Sequence, residues 1–203
     1  MLGIVDYGVG NLFSLRASLR HLGVEAVVSS DERELLSCDR LILPGVGAFG
    51  DAAEKLRATG LERAVKEFAQ AGGPVLGVCL GMQLLFAESF EYGRHEGLGF
   101  LSGSVRPLSE RKETEGKKIP QMGWNALVKR KDCPILTEIA DGEYFYYVHS
   151  FFADGEAEDC AAYSDYGVKV AGVVQRDNVF GTQFHPEKSG DAGLRLLKTF
   201  SKL

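Results

Sequence analysis

The sequence predicts an α/β fold: a doubly wound, mostly parallel central sheet with flanking helices and an additional antiparallel β portion in the C-terminal half. Three observations predict it. In the first half of the chain, short apolar runs alternate with segments of helical periodicity, as in βαβ units. From Gly97 onward, short strand-like runs follow one another between turns, which favours hairpins. The 203 residues, 45% of them hydrophobic, suffice for one large core, so we expect a single domain over residues 1–203.

The first half of the chain predicts alternating strands and helices. Leu2–Val5 is a short apolar run, and apolar residues at positions 12, 15, 19 and 22 have the spacing of a helix that ends before Gly23. Further predicted segments are a strand at Val24–Val28, a short helix at Glu32–Ser37, a strand at Arg40–Leu43 and helical residues 48–71 with a break near Thr59-Gly60. This alternation is what a parallel sheet requires, because each crossover needs a helix or a long loop.

The second half predicts strands joined by turns. The strand-like runs are Gly99–Pro107, Trp124–Val128, Tyr144–His149, Ala161–Tyr163, Val168–Gln175 and Val179–Phe184, and a closing helix is expected over Asp191–Leu203. Glu110–Lys118 is a charged insertion, for which we expect a solvated loop. Ile119–Asn125 is apolar and contains the only tryptophan, Trp124. An exposed Trp124 would suit a partner interface, and the alternative is that it belongs to the core.

The segment from Pro74 to Phe86 organises the chain. A short apolar strand leads into Gly77-Val78-Cys79-Leu80-Gly81, and an apolar helix begins at Leu80. This is the nucleophile elbow of hydrolases with cysteine in place of serine. The sharp strand-to-helix turn leaves no room for Cβ atoms two positions before and after the nucleophile, so glycine is needed at both. The first N–H groups of the helix, that of Leu80 first, favour a thiolate and can bind an oxyanion.

Cys79 has an alternative interpretation as a buried core cysteine, which most free cysteines in apolar runs are. Two further stretches favour catalysis. Pro44-Gly45-Val46-Gly47 lies at the carboxyl end of a strand, where α/β sheets bind ligands, although without the elbow it would be a plain tight turn. His185-Pro186-Glu187 follows the last strand. Residues two apart in an extended backbone point the same way, so Glu187 can orient the His185 imidazole.

Composition excludes several classes of function. The formal net charge of −5 gives no electrostatic reason to expect nucleic acid binding. The four cysteines (Cys38, Cys79, Cys133 and Cys160) lie at scattered spacings without a CxxC pair, which argues against a disulfide framework or a zinc site and for a reducing compartment. Asp6 interrupts the opening apolar run and no basic segment precedes it. We therefore expect no signal peptide, no membrane association and a cytoplasmic protein.

These motifs together resemble the class I (triad) glutamine amidotransferases over essentially the whole chain. The resemblance rests on the elbow with Met82-Gln83 after it, on Pro44–Gly47 and on His185-Pro186-Glu187. Within that family, the opening Asp6–Asn11 and the run Pro120–Asn125 are most similar to the glutaminase subunits of imidazole glycerol phosphate synthase. The sister amidotransferases for anthranilate, GMP or carbamoyl phosphate share the triad but usually lack both stretches.

The resemblance implies roles for individual residues. Cys79 would attack the carboxamide of glutamine, His185 would take and return the proton, and Glu187 would support His185. The N–H of Leu80 and one from Val46 or Gly47 would hold the oxyanion. The positions that hold glutamine in the family are matched by Gln83, Glu91, His149, Ser150 and Phe151. Phe151 stands where a tyrosine is expected, so no hydroxyl contact is available there.

The resemblance also implies a partner and the absence of a cofactor or metal. The partner would be a (β/α)₈-barrel cyclase subunit that forms a heterodimer with this chain and receives its ammonia, making imidazole glycerol phosphate and AICAR in histidine biosynthesis. Asn11, Met122 and Trp124 would lie on the docking face. The alternatives are the glutaminase subunit of a different amidotransferase synthase, another cysteine hydrolase or peroxidase of similar fold, and a binding module with a decayed site. Glutamine-dependent thioester formation would distinguish the amidotransferases from the last two.

Overall fold

The structure, a computed structural model, describes the whole chain from Met1 to Leu203. In chain order the first half contains β1 (Leu2–Val5), α1 (Leu12–His21), β2 (Ala26–Ser29), α2 (Glu32–Leu36), β3 (Arg40–Leu43), α3 (Phe49–Ala58), α4 (Leu61–Gln70), β4 (Val75–Val78) and α5 (Leu80–Leu84). The second half contains β5 (Phe86–Ser89), β6 (His95–Glu96), β7 (Leu101–Pro107), β8 (Gln121–Ala126), β9 (Val128–Lys129), β10 (Tyr144–His149), β11 (Phe151–Phe152), β12 (Cys160–Asp165), β13 (Lys169–Arg176), β14 (Val179–Thr182) and α6 (Gly190–Phe200).

An eight-stranded sheet in the order β2-β1-β3-β4-β14-β13-β12-β9 forms the centre of the protein. The first five strands of this order, from β2 across to β14, pair in parallel. From β14 the sheet continues through β13, β12 and β9 with antiparallel pairs. Strands β8 and β10 form a separate antiparallel pair, and a four-stranded sheet has the order β11-β7-β5-β6. The predicted fold class, a mostly parallel sheet with an antiparallel C-terminal portion, is confirmed.

Both faces of the central sheet are covered by helices. In β3, Leu41 and Leu43 pack into the cluster that includes residues of α2, α3 and α4, whereas Ile42 between them packs into the cluster that includes α1 and α6. Strands buried on both faces need apolar residues at every position, and β1, β3 and β4 have nearly continuous apolar runs for this reason. Each fully buried leucine or isoleucine here stabilises the fold by about 1.5–3 kcal/mol.

The predicted elements differ from the observed ones mainly between residues 84 and 126. The helix after the elbow ends at Leu84, and Phe86–Ser89 forms β5, a strand that the sequence did not predict. Strand β8 begins at Gln121, three residues before the predicted start, because its pairing with β10 extends to His149. The break in the long helical segment is confirmed at Gly60, whose φ of 75° only glycine adopts without strain. The charged insertion is mostly exposed, with Thr114 buried in it.

Replacing Gly81 by alanine is expected to destabilise the protein by about 3 kcal/mol, because an added Cβ would lie 1.9 Å from the carbonyl oxygen of Leu43 and force the elbow away from β3. Urea unfolding monitored by circular dichroism measures this change. The matched control is Gly142→Ala, where φ is +82° and no atom lies within 4 Å of the added Cβ, so that only the backbone conformation costs about 1 kcal/mol. Equal losses in the two variants would contradict the steric explanation.

Candidate active site

The elbow presents Cys79 at the carboxyl end of β4. Cys79 has φ 54° and ψ −110°, a strained conformation for a residue with a side chain, and its N–H donates to the carbonyl of Thr182 on β14 over 2.7 Å. A Cβ on Gly77 would lie 2.6 Å from the carbonyl oxygen of Gly81, so the helix passes directly over the strand. The prediction that Gly77 and Gly81 are needed because neither position has room for a Cβ atom is confirmed.

The neighbouring strand β14 carries the imidazole to the same edge of the sheet. Because β4 and β14 are parallel, with Val78 paired to Thr182, the residues after both strands emerge side by side. The backbone N–H of His185 donates to the carbonyl oxygen of Tyr146 over 3.0 Å. The ring Nδ1 of His185 lies 2.8 Å from Glu187 Oε1. The His185 ring and the Glu187 carboxylate are both buried. The expected imidazole–carboxylate pair is therefore formed, but not in the extended backbone that the prediction assumed. Only His185 is extended, and Glu187 lies in a 3₁₀ turn over Pro186–Lys188.

The protonation of His185 depends on its two neighbours. Burial alone disfavours the imidazolium, but hydrogen bonds to the Cys79 sulfur and to Glu187, with the charges of both, outweigh it and raise the pKa of His185 from 6.5 to about 10. The imidazole is thus held as a cation next to the sulfur at neutral pH. An imidazolium that bonds both to a sulfur atom and to a carboxylate can supply a proton to a leaving group.

A cavity of about 190 Å³ opens onto Cys79, and its volume suits a small metabolite. It is lined by Val46, Gly47, Cys79, Leu80, Gln83, Glu91, Tyr92, Val148, His149, Ser150 and Phe151. Every residue that the sequence assigned to the oxyanion hole or to glutamine binding lies in this cavity. Four separate parts of the chain, residues 46–47, 79–83, 91–92 and 148–151, are therefore brought together around this cavity.

Two buried ionisable groups in the cavity have fixed partners. Glu91 Oε2 accepts the N–H of Phe49 over 2.7 Å, and burial raises the pKa of this carboxyl while the Phe49 N–H and His95 act in the opposite direction. Burial lowers the pKa of His149 to about 4, so its ring is neutral. His149 Nδ1 lies 2.8 Å from the carbonyl oxygen of Phe151, which makes Nδ1 the protonated nitrogen. Glu91 is the only carboxyl group that lines the cavity.

The Pro44–Gly47 loop packs directly against the elbow. A Cβ on Gly45 would lie 2.6 Å from the backbone nitrogen of Gly81, and the Tyr7 hydroxyl donates to Pro44 O over 2.7 Å. Gly47 has φ 95°, a conformation that favours glycine. Leu80 is the first residue of α5, so its N–H has no acceptor within the helix. Val46 and Gly47 of the loop and Leu80 of the helix start thus line the same cavity as Cys79.

The family model for glutamine amidotransferase class-I matches residues 3–202. The chain belongs to the class-I glutamine amidotransferases. It is 50% identical to the imidazole glycerol phosphate synthase subunit HisH of Wolinella succinogenes, over the full length of both chains. It is 47% identical to the subunit of the same name from Caldanaerobacter subterraneus subsp. tengcongensis, over 100% of this chain and 98% of that one.

Solved structures show the same amidotransferase fold at lower sequence identity. A crystal structure of a glutamine amidotransferase superposes with a TM-score of 0.76 at 20% identity, over 99% of this chain and 97% of that one. The structure of PurLQS from Thermotoga maritima also gives a TM-score of 0.76, at 22% identity and with the same coverage. At this identity the likeness concerns the fold alone.

The residues that the sequence assigned to a docking face have different environments in this amidotransferase. Met122 and Trp124 are exposed by 63% and 53%, so Trp124 does not belong to the core. Its ring contacts Tyr146 edge-on at 6.1 Å. Asn11 is half-buried and caps α1, where its side chain accepts the N–H of Ser14 over 3.3 Å. Met122 and Trp124 therefore form an exposed apolar surface on β8.

Sequence reasoning missed three residues of the site: Tyr92, Val148 and Gln183. Val148 lines the cavity next to the predicted segment His149–Phe151. Tyr92 lines the cavity, is 88% exposed and has φ 53°, with its ring 6.0 Å from that of Phe151. Gln183 is fully buried, and its Nε2 lies 3.8 Å from Cys79 Sγ. The spacing of Gln183 two residues before His185 could have indicated it, because alternate residues of a strand share a face. No sequence pattern indicates Tyr92.

The remaining cysteines and charged groups form no further reactive centre. Cys38, Cys133 and Cys160 are buried and free, and burial raises the pKa of each thiol. No group of three or more His, Cys, Asp or Glu side chains is arranged to hold a metal ion. No helix combines the length and the apolar character that crossing a membrane would demand.

Proposed function

We infer that residues 1–203 form one glutaminase domain, the glutaminase subunit of an imidazole glycerol phosphate synthase. The observation that carries this inference is the 47–50% identity to HisH subunits over the full chain. The contacts of His185 with the Cys79 sulfur and with Glu187 support it. The reaction is hydrolysis of the side-chain carboxamide of glutamine to glutamate and ammonia.

The first half of the reaction forms a thioester. The Cys79 thiolate attacks the carboxamide carbon, and the electron pair of the C=O bond moves to oxygen. The N–H groups of Leu80 and of Val46 or Gly47 hold this oxyanion. As the tetrahedral intermediate collapses, the C–N bond breaks and the His185 imidazolium donates its proton to the leaving nitrogen, releasing ammonia. Glu187 keeps the imidazole oriented and its positive charge compensated.

The second half releases glutamate. His185, now neutral, accepts a proton from a water molecule that attacks the thioester carbonyl, and the same oxyanion donors hold the second tetrahedral intermediate. The Cys79 thiolate leaves, and His185 is again a cation. Glu91 offers a buried carboxylate to the α-ammonium of glutamine, and Gln83 with the His149–Phe151 segment contacts the rest of the substrate. A thioester needs no cofactor, since the nucleophile, acid and donors all belong to the chain.

The ammonia has to be protected from water, because ammonium is not a nucleophile. A cyclase subunit that docks over the cavity supplies this protection. In our proposal that subunit is a (β/α)₈ barrel, forms a heterodimer with this chain in the cytoplasm, and uses the ammonia to make imidazole glycerol phosphate and AICAR in histidine biosynthesis. The exposed Met122–Trp124 surface on β8 contributes to the docking face together with Asn11.

Glutamate release from glutamine tests the function. It is measured for the chain alone, with the cyclase subunit, and with the cyclase subunit plus its nucleotide ligand. We expect turnover that is low for the chain alone and rises in the complete mixture. Turnover that does not respond to the cyclase would point to a different amidotransferase synthase as the parent enzyme. No turnover in any mixture, together with a Cys79 that a glutamine-like electrophile leaves unlabelled, would contradict the amidotransferase activity.

Replacing Trp124 by alanine is expected to weaken binding of the cyclase subunit at least about tenfold, because exposed tryptophans are frequent interface hot spots. The side chain is half-exposed, so the free energy of unfolding should change by less than about 1 kcal/mol. Titration calorimetry gives the affinity and urea unfolding gives the stability. A variant that loses stability but keeps full affinity per folded molecule would contradict the interface role.

A further inference from the structure

Gln183 belongs to a chain of three hydrogen bonds that ends on the nucleophile. Gln83 Nε2 donates to the carbonyl oxygen of Phe151 over 2.9 Å and to Gln183 Oε1 over 3.0 Å. Gln183 Nε2 then lies 3.8 Å from Cys79 Sγ, within the range of an N–H···S hydrogen bond. Gln183 is fully buried, so water does not compete for its amide, and Gln83 is only 4% exposed where it lines the cavity.

The direction of this chain is determined by its first member. A backbone carbonyl only accepts, so the Phe151 oxygen requires the nitrogen of Gln83 on its side. That nitrogen also faces Gln183 and requires an acceptor there, which is Gln183 Oε1. The Gln183 nitrogen is therefore left facing the sulfur. Reversing either amide would place two donors or two acceptors against each other in a buried site, so the orientation follows from the network.

We propose that Gln183 donates a hydrogen bond to the Cys79 sulfur and stabilises its thiolate form, with its orientation determined by the Phe151 carbonyl through Gln83. A hydrogen bond from a neutral amide to an anion is stronger than one to a neutral thiol, so it favours the charged form. The sulfur then has two stabilising groups with different properties: His185, whose charge depends on pH, and Gln183, whose donor does not. The proposal rests on the proposed function, because it takes Cys79 as the nucleophile.

The orientation of Gln183 also connects the nucleophile to the substrate cavity. Gln83 and Phe151 both line that cavity, and both donor bonds of Gln83 Nε2 go to protein acceptors. Only Gln83 Oε1 remains to accept a hydrogen bond from a substrate nitrogen. A substrate that donates a hydrogen bond to Gln83 Oε1 polarises the amide of Gln83 and strengthens the bonds that Gln83 Nε2 donates. The stronger bond to Gln183 Oε1 then holds the Gln183 nitrogen toward the sulfur more firmly.

The test is the pH profile of Cys79 alkylation by iodoacetamide, since thiolate reacts and thiol does not. Mass spectrometry of peptides separates Cys79 from the other cysteines. Gln183→Met removes the donor with little change in volume and is expected to move the midpoint of the profile upward by about one pH unit, so that alkylation at neutral pH slows about tenfold. We expect kcat to fall about tenfold while KM for glutamine changes less.

Two variants control the experiment. Gln183→Glu keeps an acceptor for Gln83 but offers no N–H to the sulfur once ionised, so its midpoint should move upward at least as far. Gln175→Glu makes the same exchange on β13, where the amide donates only to Asp177 O over 3.3 Å, and should leave the midpoint unchanged. Near-ultraviolet circular dichroism verifies folding, and Gln183→Glu decides the question if Gln183→Met does not fold.

A wild-type midpoint in folded Gln183→Met or Gln183→Glu would overturn the proposal, even if stability were lowered, because a purely structural residue would change stability without moving the profile. An upward shift in the Gln183 variants and none in Gln175→Glu supports it. Activity that survives in Cys79→Ala would instead contradict the proposed function. An inactive Cys79→Ala combined with unchanged midpoints would contradict this inference alone.

Discussion

Replacing Cys79 by alanine is expected to lower glutamate release at least about 10⁴-fold, because Cys79 is the only thiol that lines the cavity and loss of the nucleophile in a triad removes most of the rate enhancement. Folding should be retained, since the strained backbone of the elbow is determined by Gly77 and Gly81 rather than by the sulfur. Steady-state assays with the partner present, together with mass spectrometry for the thioester, measure the effect.

Cys38→Ala is the matched control for this substitution. Cys38 is as buried as Cys79, at 7% exposure each, but packs in the core between α2 and β1 and makes no contact with the cavity. It should keep wild-type turnover and lose only stability, by about 1 kcal/mol. Activity of Cys79→Ala within tenfold of the wild type would exclude Cys79 as the nucleophile and so contradict the proposed function.

The elbow could be predicted from the sequence because its constraint is local. Gly77 and Gly81 are both needed where a strand turns sharply into a helix, and the Cβ contacts of 2.6 and 1.9 Å in the structure are the physical expression of that pattern. The pairing of His185 with Glu187 is equally local, because only Pro186 separates them, although the backbone there is a 3₁₀ turn and not the extended chain that was expected. Such features need no knowledge of which strands are neighbours.

The division of the C-terminal strands into sheets could not be predicted in the same way. Alternation of apolar residues indicates which face of a strand is buried but not which strand it pairs with. Strand β5 is four residues long and pairs in parallel with β7, whose first residue lies twelve positions beyond the end of β5. Its first residues, Phe86 and Ala87, are apolar and continue the apolar run of the preceding helix, so they look like the end of that helix. Non-local pairing, rather than local preference, makes this segment a strand.

Gln183 shows a third limit of sequence reasoning. Its role depends on contacts with Gln83 and Cys79, which are 100 and 104 positions away in the chain. Those contacts exist because β4 and β14 are adjacent, an adjacency that no local pattern encodes. Whether Trp124 is exposed was undecided for a similar reason, since exposure depends on what packs over β8. The structure resolves both because it supplies the neighbours.

Replacing Glu187 by glutamine is expected to lower kcat about 10³- to 10⁴-fold with a smaller change in KM. Glutamine has the same shape but cannot compensate the charge of the imidazolium, and its amide can present a donor to His185 Nδ1 and so favour the wrong tautomer. The assay is glutamate release in the complete mixture. The matched control is Glu143→Gln, a carboxylate that pairs with Arg195 away from the cavity and should leave kcat unchanged.

The pH dependence separates the electrostatic role of Glu187 from a purely steric one. The folded-state pKa of His185 is raised from 6.5 to about 10, against the effect of burial, by Cys79 and Glu187. The stability that the imidazolium contributes is therefore fully present below pH 6.5 and is lost as the pH rises through about 10. Glu187→Gln lowers this folded-state pKa. Its deficit in the free energy of unfolding should be largest near pH 6 and shrink toward pH 10, and the alkaline limb of its kcat profile should move to lower pH. A deficit that stays constant over this range would mean that Glu187 only holds the ring in place.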